Sequence, residues 1–182
     1  MRRMKVGVIS DTHDRLPTFR QALAMFKRLK VGAILHAGDL VAPFAAKLLN
    51  DPELVGDTPV FCIYGNNDGE RQGLKQTLPQ IVDGPLRLEL PTAAGQSRIV
   101  VVHHFLDWLK PADRIGADVI VTGHDHEPRV EVGDMPTNLS GKQMLLNPGE
   151  CCGWVHDRCT VAVLDLDTMK ADIVDIRGLP GG

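Results

Sequence analysis

Asp11 and His13 stand two residues apart at the end of the apolar run Val6-Gly7-Val8-Ile9. A carboxylate oxygen beside a neutral imidazole nitrogen suits a divalent transition metal. Alternate residues of an extended chain point to the same side, so this pair can aim at one point past a strand end. The same grammar recurs along the chain. Asp39 follows Ala33-Ile34-Leu35-His36 across Ala37-Gly38, and Asn66 follows Val60 to Tyr64 across Gly65. His103 comes directly after Ile99 to Val102, while His124 and His126 follow Asp118 to Val121 and repeat the spacing of the first pair. Each piece alone is as well explained by a polar loop cap. Together they form a donor set that folding would bring to one place.

The elements that must position these donors are an alternation of strands and helices. Lys5 to Ser10 reads as a buried strand, and Pro17 opens a helix with apolar positions at Phe19, Leu23, Phe26 and Leu29. A second strand covers 33–36, a helix runs from Pro43 to Leu49, and a third strand covers Pro59 to Tyr64. Gly69 to Leu78 predicts a weak helix, Leu86 to Leu90 and Arg98 to Val102 predict strands, Asp107 to Ile115 a helix, and Asp118 to Val121 another strand. From Glu127 onward the pattern is strands and turns, over Arg129–Val132, Gln143–Leu146, Thr160–Leu166 and Ala171–Ile176, and reads as antiparallel. This is an α/β chain with some parallel strands, in which ligands bind beyond the carboxyl ends of the strands.

At 182 residues the chain is expected to form one domain over 1–182. A net charge of −3 gives no bulk attraction to nucleic acid or anionic membranes, so any phosphate site must be local. Only 4% of residues are aromatic, which argues against a base-stacking strand binder. Cys62, Cys151, Cys152 and Cys159 lack the spacing of a disulfide framework. The basic start, Met1 to Lys5, is not followed by a signal-peptide core, and no run is long enough to span a bilayer. A cytoplasmic protein with free thiols is expected.

The order D-x-H (11–13), G-D (38–39), G-N-x-D (65–68), a strand ending in His, and G-H-x-H (123–126) resembles the calcineurin-like metallophosphoesterases, and most of all their small bacterial and archaeal phosphodiesterases. Asn147 to Gly153 resembles a stretch these proteins carry after G-H-x-H. The resemblance implies a four-layer αββα sandwich of two mixed sheets flanked by helices. It implies two divalent metals, manganese first, with nickel, iron, zinc or magnesium as alternatives. Asp11, His13, Asp39 and His126 would hold one metal. Asp39 would bridge to a second, completed by Asn66, His103 and His124. His103 is chosen over His104 because it directly follows the strand; parity allows only one of the two to face the metals. The two aspartate charges are outweighed by those of two divalent ions, which leaves a local positive site for a phosphate ester. In-line attack by a metal-bridging hydroxide is the implied chemistry.

The resemblance thus implies a phosphodiesterase acting on small or nucleotide-like esters. A phosphomonoesterase, or a protein-binding scaffold of the same fold, is the alternative. No membrane contact or stable nucleic-acid complex is expected, and relatives suggest a homodimer or larger homo-oligomer. Asp39, Asn66, Asp68 and His103 are the catalytic candidates, with Asp68 expected to orient a neighbouring histidine. Asn67 departs from the family, in which many members carry a histidine able to protonate the leaving group. Asn67 and His104 are candidate substrate contacts, and His104 could replace the missing acid. His36 reads as a satisfied, partly buried histidine, Arg15 as a surface residue, and the cysteines as structural thiols.

Overall fold

The computed structural model describes residues 4–134 and 141–179; the basic residues 1–3 and the end of the tail, 180–182, lie outside them. The chain begins with β1 (Lys5–Ile9), α1 (Leu16–Leu29), β2 (Ala33–His36), α2 (Pro43–Ala46), α3 (Pro52–Val55), β3 (Val60–Cys62) and α4 (Arg71–Thr77). It continues with β4 (Leu86–Pro91), β5 (Ser97–Val102), α5 (Pro111–Arg114), β6 (Val119–Val121), β7 (Arg129–Asp134), β8 (Lys142–Asn147), β9 (Thr160–Asp165) and β10 (Lys170–Asp175). Two mixed five-stranded sheets result, in the orders β10-β9-β1-β2-β3 and β4-β5-β6-β8-β7.

Strand parity builds the layers. Val6 and Val8 of β1 and Leu35 of β2 face the second sheet, where they meet Val100, Val102, Val119 and Val121. The opposite face, with Ile9 and Ile34, receives Phe19, Leu23 and Phe26 of α1. Burying each such side chain contributes about 1.5–3 kcal/mol. Gly7 is required by this contact, since a Cβ there would lie 2.7 Å from the Phe26 ring. On the far side of the second sheet, Val101 and Ile120 pack on Leu109 and Ala117. The α/β sandwich of two sheets between helical layers is therefore the fold.

Two local expectations are corrected and one is sharpened. The helix expected over Pro43 to Leu49 breaks after Ala46 into a 3-10 turn, Lys47–Asn50. The stretch expected as a helix from Asp107, with Pro111 allowing a late start, takes that late start: a 3-10 turn, Leu106–Trp108, precedes α5, because Pro111 supplies no N–H to continue a ladder and opens a new first turn instead. The carboxyl half is not wholly antiparallel: β8 lies parallel to β6, with β7 antiparallel outside it. Period-two alternation reports which faces are buried and carries no information about which neighbour a strand takes.

β1, β2 and β3 are mutually parallel, as are β5 and β6. Each delivers one polar segment past its carboxyl end, and these five segments meet.

Candidate metal centre

Backbone hydrogen bonds join the donor loops. Asp11 N–H donates to the Gly38 carbonyl at 3.1 Å, and the Thr12 and His13 N–H groups donate to the Asp39 carbonyl at 3.1 Å. Cys151 and Cys152 N–H groups close the other side on the Ser10 and Asp11 carbonyls. Two glycines permit the approach. A Cβ at Gly65 would overlap the Asp39 carboxylate, and one at Gly123 would overlap the Ser10 hydroxyl. Asp11, His13, Asp39, His124 and His126 all take left-handed backbone angles, with φ of 51, 39, 61, 75 and 63°.

Asp39 lies between two groups of donors. On one side, His13 Nε2 is 3.5 Å from Asp39 Oδ2 and 3.8 Å from Asp11 Oδ1, and His126 Nε2 is 3.5 Å from Asp11 Oδ1. On the other, His104 Nε2 is 3.4 Å from Asp39 Oδ2 and 3.0 Å from Asn66 Oδ1, which also meets His124 Nδ1 at 3.0 Å. The structure thus brings together Asp11, His13, Asp39, Asn66, His124 and His126. It does not bring His103. That ring turns aside, accepts a hydrogen bond from Phe105 N–H at 3.0 Å, and is replaced in the cluster by His104. The physical reason is parity: His104 continues the Val100 and Val102 side of β5, which faces the first sheet and its strand ends.

Two further expectations change. Asp68 orients no histidine. Its carboxylate accepts from the N–H groups of Asp39 (3.0 Å), Gly65 (2.6 Å) and Val41 (2.7 Å), and so holds the loop that carries Asp39. Asn67, expected to touch substrate, donates from its backbone N–H and its Nδ2 to the Asp39 carboxylate, both at 2.8 Å. His36 is fully buried, with Nδ1 accepting from Gly38 N–H at 3.2 Å; burial pushes its pKa down to about 3. Arg15 is half-buried: it donates to the Cys152 carbonyl and lies 4.7 Å from the centre of the Trp154 ring.

The electrostatics suit a cation. Burial raises the Asp11 carboxyl pKa, against the nearby His104 and His126. Burial would also raise Asp39, but the hydrogen bond and charge of His104, with the Asn67 donors, hold it well below the usual carboxylate range. His104 is raised in turn, because Asp39 outweighs its burial. Asp11 Oδ1 and His13 Nε2 are buried polar atoms with no hydrogen-bond partner. Such atoms are costly unless something else satisfies them. Behind the cluster, His104 Nδ1 lies 2.7 Å from the Ala37 carbonyl, which can only accept, so Nδ1 carries a proton and Nε2 is the nitrogen that would be left to bind a metal. His126 Nδ1 meets Glu150 Oε2 at 2.9 Å with the same effect. This donor set fits divalent metal ions: oxygen and nitrogen donors converge, and Ala37 and Glu150 fix the His104 and His126 rings from behind.

Sequence reasoning missed Glu150. It is 1% exposed and accepts from His126, from Cys152 Sγ (3.2 Å) and from the N–H groups of Val155 and His156. Although burial opposes ionisation, these donors lower its pKa to about 2. An acidic residue inside a turn gives no periodic signal. Glu150→Gln is expected to weaken metal binding about 10–100-fold, the usual cost of losing a partner behind a ligand. Titration against a metal-sensitive chelating dye measures this, and unchanged affinity would remove Glu150 from the site. Cys152 was also missed as a neighbour: one ligand atom each from His13, His126 and Cys152 lies within 4.8 Å of the others.

A two-sheet sandwich with two carboxylates, four imidazoles and an amide oxygen at its strand ends is the architecture of the calcineurin-like phosphoesterase superfamily. The profile of that superfamily domain matches residues 4–169, and the chain belongs to this family. It is 35% identical over 173 residues to Phosphodiesterase MJ0936 of Methanocaldococcus jannaschii, covering 90% of this chain and 94% of that one. Among solved structures, an archaeal phosphodiesterase superposes with a TM-score of 0.72 at 29% identity, covering 94% of this chain and 99% of that one. The phosphoesterase Yfce from E. coli superposes with a TM-score of 0.64 at 20% identity, covering 96% of this chain and all of that one. That last likeness concerns the fold.

Proposed function

We propose that the protein is a metal-dependent phosphodiesterase acting on small phosphate diesters. One observation carries this reading: Asp39 stands between two converging groups of oxygen and nitrogen atoms, with Asp11 Oδ1 and His13 Nε2 buried and unpaired among them. Asp11, His13, Asp39 and His126 would hold one ion; Asp39, Asn66, His104 and His124 would hold the second. Manganese is the first candidate on the family resemblance; nickel, iron and zinc accept the same mixture of oxygen and nitrogen donors, and magnesium, which prefers oxygen, is the weakest. Two bound ions would supply Lewis acidity at phosphorus and a water of lowered pKa.

The chain's own residues do the rest. Asp68 fixes the Asp39 loop through three backbone donors. Ala37 and Glu150 fix the rings of His104 and His126. Asn67 is held against Asp39 and carries no proton that it could give a leaving group. Esters whose leaving group needs little protonation are therefore the favoured substrates, which supports diester over monoester hydrolysis. No helix among the described residues is long and apolar enough to cross a membrane. All four cysteines are free and buried, which supports a reducing, cytoplasmic setting.

The test is a chelated protein reloaded with single metals and offered mono- and diesters. Activity should vanish on chelation and return with manganese, on diesters first. Undiminished hydrolysis after chelation would overturn the reading, and a preference for monoesters would correct the substrate class. In the same assay Asn67→His is expected to raise turnover of alkyl diesters by about 10²-fold, a common scale for general acid catalysis. Nitrophenyl diesters should change much less. Equal changes for both would show that protonation at position 67 does not limit the rate.

A further inference from the structure

Phe105 lies against two rings of the metal centre, 5.0 Å from His104 and 4.3 Å from His124 between centroids. Trp108 stacks on Phe105, at 4.2 Å and 22° between planes. Yet Trp108 is 68% exposed. The stack therefore starts at the donors and ends with an indole in solvent. Exposure alone means little, since Trp154 is nearly as open at 62%; what sets Trp108 apart is that it extends an aromatic stack from the donors.

Two cavities share this stack as a common wall. The first, about 290 Å³, also contains Asn66, Tyr64, Arg71 and Asp83. The second, about 440 Å³, also contains His124, Asp107, Asp125 and Arg129. Each cavity thus reaches the metal centre, the first at Asn66 and His104 and the second at His124, and both include the same two aromatic rings. A diester has two organic arms that diverge from phosphorus. With phosphorus at the donors, the wall would send one arm to each side.

The two sides differ in chemistry. In the first, the Arg71 guanidinium lies 4.0 Å from the centre of the Tyr64 ring and is paired with Asp83. That side offers flat aromatic faces, a set of N–H donors and a carboxylate acceptor. The second is rimmed by two carboxylates and one arginine, with no aromatic ring beyond the shared wall. We propose that the first cavity takes a flat heteroaromatic arm, such as the base of a nucleoside, with Trp108 as its stacking face and Arg71 at its edge. The substrate class would then be nucleoside phosphodiesters. This rests on the phosphodiesterase reading above and adds to it the cavity and the residues that would hold a nucleoside arm.

The experiment uses the metal-reconstituted full chain and two esters with one leaving group: the 4-nitrophenyl ester of thymidine 5′-phosphate, and methyl 4-nitrophenyl phosphate. The wild type should prefer the thymidine ester in kcat/KM. Trp108→Ala should reduce that preference about tenfold, mostly through KM, because stacking on an aromatic side chain is commonly worth that much. Trp108→Phe should keep most of it. Arg71→Ala should lower the preference and Arg129→Ala should not. An unchanged preference in Trp108→Ala overturns the proposal and leaves the phosphodiesterase reading intact. A loss seen only with Arg129→Ala overturns the choice of cavity. If neither ester is hydrolysed, the phosphodiesterase reading fails, and calorimetric binding of thymidine 5′-phosphate against methyl phosphate decides the platform. A preference lost in Trp108→Ala supports it, and no preference in the wild type overturns it.

Discussion

Asp39→Asn is expected to lower phosphodiesterase activity by about 10³-fold or more. Asp39 sets its carboxylate between both donor groups, 3.5 Å from His13 Nε2 and 3.4 Å from His104 Nε2. Its charge is the one both ions would share, and losing about 4 kcal/mol of charge stabilisation corresponds to about a thousandfold in rate. Asparagine is the informative substitution. It preserves size and tolerates the left-handed backbone at φ 61° better than alanine does. It also keeps an oxygen for the Asn67 N–H, so the fold should survive. The measurements are kcat on a nitrophenyl diester, bound metal by elemental analysis, and the far-ultraviolet circular dichroism spectrum. Full activity in a folded variant would show that Asp39 is not shared between two ions.

The second large effect separates two adjacent histidines. His104→Ala should cost about 10²–10³-fold in activity, the range seen when one preorganised group is lost from a reacting centre. Bound metal should fall from about two ions per chain to about one. His103→Ala should cost less than about tenfold and leave the metal content unchanged, because the His103 ring takes its hydrogen bond from Phe105 N–H in its own loop and not from a donor of the cluster. The reverse pattern would restore His103 as the donor and would mean that the loop after β5 rearranges when metal binds.

These two residues also mark where the sequence stops being legible. Asp11, His13, Asp39, Asn66, His124 and His126 could be read because each follows an apolar run across a fixed short spacing, and parallel strands bring such ends to one edge. His103 and His104 could not be separated this way. Val100, Val101 and Val102 are all buried, so the run before them does not alternate, and nothing in it says which face is turned to the first sheet. Asp68 and Asn67 were assigned by chemical type. Their actual partners, three loop N–H groups and the Asp39 carboxylate, depend on how two loops meet. Glu150 was invisible for the same reason: it belongs to the site through His126, which is 24 residues away in the chain. The break after Ala46 and the parallel placement of β8 are tertiary outcomes that local periodicity does not encode.

The left-handed residues around the centre have a wider consequence. Five of the seven clustered side chains sit on backbone angles that an L-residue adopts reluctantly, at about 1 kcal/mol or more each. Glycine at an exposed position such as 124 would relieve that tension while erasing a donor of the proposed metal site. Thermostability and turnover therefore pull this chain in opposite directions, and its most robust variants would be catalytically silent. Directed evolution for heat resistance alone would drift toward an inert sandwich, so any such campaign on this scaffold must score hydrolysis in every round.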